Sequence, residues 1–148
     1  MLRLPPPLWM FIYLLAAGAL SAIYRWKAII DLTVIPLGIL LIVLGAVSAF
    51  WASSLFRRLG TEINPTSETN KTLVIVGPFR LTRNPMYLGL VLASLGVAFC
   101  VGSLPMFAVP FLVFATANWV HIPFEEAKMR RQFTTVFDAY VRRVRRWV

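Results

Sequence analysis

An all-α membrane protein is the fold class this sequence predicts, and three observations carry the prediction. Hydrophobic residues make up 59% of the 148, and charged residues only 14%. A soluble domain carries about 25% charged residues, so this chain has too little polar surface to cover a globule. Long stretches are also free of charge: Leu4 to Tyr24, Leu32 to Phe56 and Asn84 to Phe124. Finally, the basic residues gather at the ends of these stretches, as the positive-inside rule describes.

The first two stretches are each long enough for one span, which takes about 20 residues. The third is twice that length. As one helix it would run about 60 Å, double the hydrocarbon thickness, so it folds back on itself. Gly102-Ser103-Leu104-Pro105 is the obvious turn. The expected hairpin therefore pairs helices over roughly 86–101 and 105–122, giving about four transmembrane helices. Residues 1–56 supply the two N-terminal spans, and residues 57–148 form a second unit of strap, hairpin and tail.

Four spans leave both termini on one face. Thirteen of the fifteen Lys and Arg residues fall there, and only Arg25 and Lys27 on the other. The bias places the termini, the central loop and the tail in the cytoplasm, with a bacterial inner membrane the expected setting. The net charge of +9 is read as topology and not as nucleic-acid binding. No cleavable signal peptide is expected, because Tyr24-Arg25-Trp26-Lys27 follows the first apolar segment. One Cys and one His leave no basis for a disulfide framework or a histidine metal site.

After Glu125 the apolar residues Met129, Phe133, Phe137, Tyr140, Val144 and Trp147 recur every three or four positions. That spacing predicts an amphipathic cytoplasmic tail helix. Arg142, Arg143, Arg145 and Arg146 suit an anionic membrane surface.

Folding back brings two polar clusters together: Arg80 to Tyr87 at the start of the hairpin and His121 to Glu126 at its end. Asn84 is a good N-cap and Pro85 a good first helical residue. The helix N-terminus there, with Arg80 and Arg83, is either an anion site or an ordinary helix start beside membrane-surface arginines. Glu125 and Glu126 either pair with Arg80, Arg83 or Arg130 or cap the tail helix, or they recognise a cationic or hydroxyl-bearing ligand group. An anion site facing a carboxylate suits a zwitterion, such as an amino-acid moiety joined to a ribose. His121 is a structural residue or a base, and Tyr87, Phe79, Trp119 and Phe124 are candidates for an aromatic wall.

At these residues the chain resembles the integral-membrane methyltransferase family that includes isoprenylcysteine carboxyl methyltransferase and phospholipid N-methyltransferases. The matching pattern is Gly-Pro-Phe-Arg (77–80), Arg-Asn-Pro-Met-Tyr-Leu-Gly (83–89), Glu125-Glu126, then Phe133, Tyr140 and Arg-Arg-Trp (145–147). It covers about residues 64–148. The resemblance implies S-adenosylmethionine as cofactor, bound without a Rossmann fold, and a lipophilic methyl acceptor reached from the bilayer. The acceptor is either isoprenylcysteine-carboxylate-like or a phospholipid or amine. Carried over by position, the cofactor-binding residues are Lys71, Thr72, Leu73, Val74, Phe79, Arg83, Asn84, Pro85, Met86, Tyr87 and Glu125, with Asn64 a further polar contact. His121 and Glu126 are the candidates for proton acceptance from an amine. Two departures point away from a prenylcysteine acceptor: Asn84 stands where those members have His, and His121 where they have Arg. The Gly usual near Val136 and Phe137 is also missing. The sequence also admits a non-enzymatic membrane scaffold or a nicotinamide-dependent lipid reductase.

Overall fold

The computed structural model describes residues 4–60 and 72–148, and among these all regular secondary structure is helical. The helices are α1 (Pro6–Tyr24), α2 (Ile35–Arg58), α3 (Pro85–Val101), α4 (Ala108–Thr116) and α5 (Ile122–Arg143). Three helical runs are long and apolar enough to cross a membrane: α1, α2 and the run Leu104–Arg143. Helix α3 is equally apolar but 17 residues long. Asn64 and Lys71 lie outside the described residues.

Helices α2 and α3 pack antiparallel and very close. Buried Gly38, Gly45 and Ala52 recur every seventh residue of α2, opposite Gly89 and Gly96 of α3. A methyl group on Gly89 would sit 2.5 Å from the Gly45 carbonyl oxygen, and one on Gly96 2.5 Å from that of Gly38. Small residues let the two backbones touch, the device by which helices associate where lipid removes the hydrophobic drive. The Ser48 hydroxyl donates to the Pro85 carbonyl at 2.9 Å and closes the far end of this seam.

The reversal after α3 falls at the expected turn. Gly102 caps α3 in the left-handed region at φ 75°, and Ser103 is extended. Glycine takes that φ without steric cost. The segment before α2 docks here, with Leu32 donating its backbone N–H to the Gly102 carbonyl and Val34 to that of Phe99.

Helix α1 lies antiparallel to α4. Tyr13 and Thr116 share a hydrogen bond of 2.8 Å, and Ser21 shares one with Ser103. None of the α1 residues is buried.

One expectation is overturned. The second hairpin helix does not stop at 122 to let a separate tail helix begin. Helical structure runs without a loop from Leu104 to Arg143, so Glu125 and Glu126 sit inside it. Proline inside a helix clashes with the carbonyl four residues back. Here Pro123 is accommodated because Ala117–His121 widens into a π-helical turn just before it. The real break lies further on, at Thr134, with φ 34° and ψ −105°. Positive φ is costly for a β-branched residue. The kink folds residues 135–143 back, so that Arg130 reaches Asp138 at 3.0 Å. Eight residues along a straight helix would separate them by about 12 Å.

Gly89→Val should force the seam apart and lower stability by about 1–3 kcal/mol, the usual cost of overpacking. Gly18→Ala, whose new methyl meets nothing within 4 Å, should leave the detergent-solubilised melting temperature unchanged or raised. Equal melting of the two variants in a thermal scan would refute the close-packed seam.

Candidate functional site

At the end of the bundle where α3 begins and α5 starts, the helices enclose a cavity of about 560 Å³. Its volume lies within the roughly 300–1,000 Å³ of small-molecule sites. Leu73, Val74, Phe79, Arg83, Asn84, Pro85, Met86, Tyr87, Glu125 and Glu126 all line it. The sequence picked out each of these ten. Thr72 does not line the cavity and is exposed.

Leu73, Val74 and the short helical turn Gly77–Arg80 form the first wall. Val74 and Phe79 are buried with Ala52, and the Phe79 ring meets Phe56 edge-on at 5.5 Å. Helix α3 contributes the second wall through Asn84 to Tyr87. The third comes from α5, where the kink turns Phe137 and Tyr140 onto the cavity. The Tyr140 hydroxyl donates to the Phe79 carbonyl at 2.6 Å and ties this wall to the turn.

The polar end has two carboxylates in different settings. Tyr87 donates its hydroxyl to Glu125 Oε1 at 2.6 Å. The charge-free part of the Leu104–Arg143 run ends at Phe124, so both glutamates stand beyond the apolar span. Burial pushes the Glu125 carboxyl up to about 7, against the Tyr87 hydrogen bond and the Lys128 charge that hold it down. Glu126 bridges two guanidiniums, at 2.8 Å from Arg83 Nη2 and 2.6 Å from Arg146 Nη2. Burial would raise it, but the hydrogen bonds from Arg146 and Arg83 win and hold its carboxyl below the usual range.

The C-terminal residues Val144–Val148 complete the site by crossing the loop before α3. Arg83 donates through Nη1 to the carbonyls of Val141 and Val144, and its backbone N–H to that of Arg145. The Thr82 hydroxyl and the Asn84 side-chain amide both donate to the Arg146 carbonyl, each at 2.9 Å. Trp147 packs on Phe114 at 4.7 Å between ring centres and donates to Asn118 Oδ1.

Several expectations fail here for identifiable reasons. Asn84 makes no side-chain cap, because its amide is given to the tail. Of the two readings left open for the start of α3, the arginines fit the ordinary helix start: Arg80 is exposed and outside the cavity, and Arg83 is paired with Glu126. Arg146 serves the ion cluster, with only 34% of its side chain exposed, and is not a free membrane-facing charge. His121 does not reach the cavity. It is buried behind Tyr87, rings stacked at 6.1 Å, and lines a separate pocket of about 10 Å³ with Trp9 and Thr116. Glu126 lines the cavity, but a carboxylate held ionised between two guanidiniums is a poor proton acceptor. Of the aromatic wall, Phe79 and Tyr87 are in place, while Trp119 is 69% exposed and neither it nor Phe124 lines the cavity.

Other lining residues had no assigned role in the sequence: Pro5, Pro6, Pro7, Ala49, Phe56, Leu90 and Lys128. Asn118, an amide inside an otherwise apolar run, was the one legible signal for the tail's anchor.

The two glutamates give opposite pH dependences. Glu126 is depressed, so its stabilisation is present above the ordinary carboxylate range and is lost as pH falls through its folded value. Glu125 is raised, so its contribution is present at low pH and is lost as pH rises through about 7. Chemical denaturation across pH should show both declines. Glu126→Gln should remove the acid-side decline and, by leaving Arg83 without its partner, cost about 3–5 kcal/mol at neutral pH. Glu125→Gln should remove only the decline toward pH 7.

A family model described as phospholipid methyltransferase matches residues 33–136. No curated protein and no solved structure matches the chain. The matched stretch begins ahead of α2, takes in the strap, α3 and both glutamates, and ends within α5. With more than two thirds of the 148 residues inside that match, this chain belongs to the phospholipid methyltransferase family.

Proposed function

We propose that this protein transfers a methyl group from S-adenosylmethionine to a lipophilic acceptor at the bilayer surface, with a phospholipid headgroup the acceptor class favoured by the family match. One observation carries the reading. Nine of the twelve residues assigned to the cofactor by resemblance, scattered between 73 and 125, line one cavity together.

The residues present suit that cofactor. Glu125 offers a half-buried carboxyl to hydroxyl or ammonium groups, Phe79 and Tyr87 offer rings to a sulfonium, and Leu73, Val74 and Met86 offer apolar contact to a base. When bound, S-adenosylmethionine supplies an activated methyl group, displaced in line from sulfur by the acceptor's lone pair. The chain's own part is alignment, where effective molarity contributes about 7–11 kcal/mol. Tyr87 fixes the Glu125 carboxyl by its hydrogen bond. Arg83 and Arg146, through Glu126, hold α5 and the tail against the loop before α3. Phe137 and Tyr140 close the site against water.

The chain would cross the membrane four times, α3 being about 26 Å long and accommodated by slight local thinning. Both termini and the cavity would face the cytoplasm, where the cofactor is made available, and the acceptor would enter from the bilayer.

Calorimetric titration with S-adenosylhomocysteine on detergent-purified protein tests the reading. Micromolar binding is expected for the wild type, and at least a tenfold loss for Glu125→Ala. A folded wild type that binds neither this product nor S-adenosylmethionine, in detergent and in nanodiscs, overturns it.

A further inference from the structure

Lys128 has no place in the cofactor assignment, yet it lines the cavity together with Glu125 and is buried, 6% exposed. Lysine is among the residue types least often found buried. Arg83 and Arg146 share the Glu126 carboxylate. Among the described residues, the polar end of the cavity therefore carries three cations against two carboxyls. One of those carboxyls, Glu125, is only partly ionised near neutral pH, because burial pushes it up to about 7. An anionic group entering the cavity meets an excess of positive charge.

Lys128 stands three residues after Glu125 on α5, ahead of the kink at Thr134. Residues three apart share one face of a helix, with Cβ atoms about 5–6 Å from each other. Their charges are also in communication, since Lys128 draws the Glu125 carboxyl down against the effect of burial. Both side chains line the same cavity, so a carboxyl and an ammonium are offered to one ligand side by side. Opposite charges at that spacing match a zwitterion, its ammonium at Glu125 and its anionic oxygens at Lys128. The sequence suggested Arg80 and Arg83 for the anionic end, but Arg80 lies outside the cavity and Arg83 is paired with Glu126.

We propose that Lys128 is the anion-binding residue of the cavity, holding the anionic oxygens of a zwitterionic ligand whose ammonium lies at Glu125. Two molecules of the methyl-transfer reading have this chemistry. The amino-acid part of the cofactor carries a carboxylate, and an ethanolamine headgroup carries a phosphodiester. The proposal rests on that reading for these two sources, and on the cavity alone for the subsite. A lysine ammonium meets either group as a compact charge with three donors.

The test measures binding to the full-length protein in detergent for two matched pairs of probes. The first is S-adenosylhomocysteine against its decarboxylated analogue. The second is a short-chain phosphatidylethanolamine against the diacylglycerol of the same chains. Lys128→Met should weaken the anionic member of at least one pair by about tenfold or more, the weight of a charge-assisted hydrogen bond, and leave the other member within about twofold of wild type. A loss confined to S-adenosylhomocysteine assigns the subsite to the cofactor's carboxylate, and one confined to the phospholipid assigns it to the phosphodiester. Lys128→Gln, neutral but still polar, should give the same selective loss. Lys128→Arg, which keeps the charge, should restore most of the affinity. Unchanged affinities in both neutral variants, or equal losses for both members of each pair, overturn the subsite. A wild type that binds neither S-adenosyl compound counts against the methyl-transfer reading instead, and the lipid pair then decides the subsite by itself.

Discussion

The bridge from Arg83 through Glu126 to Arg146 is the interaction on which the site depends. It joins three segments far apart in sequence: the loop before α3, the middle of the Leu104–Arg143 run and the C-terminal tail. Glu126 offsets one of the two positive charges that burial would otherwise penalise, while the Arg146 side chain, 34% exposed, keeps access to water. The remaining donors of Arg83 and the amide of Asn84 then take the tail's carbonyl groups. Remove the carboxylate and the tail loses the charge that centres it, while Asn84 and Thr82 lose their shared acceptor once the tail moves.

That cluster leaves Glu125 with a different task. Adjacent residues on a helix point about 100° apart, so one carboxylate can face the ion cluster while its neighbour faces Tyr87. The consequence is a pair of equal side chains with opposed protonation behaviour. One is committed to structure, and the other remains a protonatable group inside a cavity that is mostly apolar.

Much of this was legible in the sequence because it rests on local rules. Charge-free lengths located α1 and α2, and Gly102 with Pro105 located the turn. The Asn84–Tyr87 motif and the glutamate pair marked the polar end of the cavity. What escaped the sequence depends on partners distant along the chain. The seven-residue spacing of Gly38, Gly45 and Ala52 was visible, but its meaning required Gly89 and Gly96 opposite. Arg146 read as one of four similar basic residues until its position beside Glu126 singled it out. His121 stands only four residues before Glu125, yet it lies behind the Tyr87 ring and outside the cavity. The continuous helix through Pro123 was hidden because a π-turn is an answer to proline that composition does not announce.

A helix that passes from an apolar span to the working end without a loop is a ruler. Leu104–Arg143 stays helical through Glu125 up to the kink at Thr134, with one register shift at the Ala117–His121 π-turn. The height of the glutamate pair above the bilayer midplane is therefore set by the count of residues below it, at about 1.5 Å each. A molecule is presented to such a site at one depth only. If the acceptor is a lipid headgroup, as proposed, bilayer thickness would become a variable of the reaction, since a thicker leaflet would draw the headgroup plane away from a fixed point on the protein.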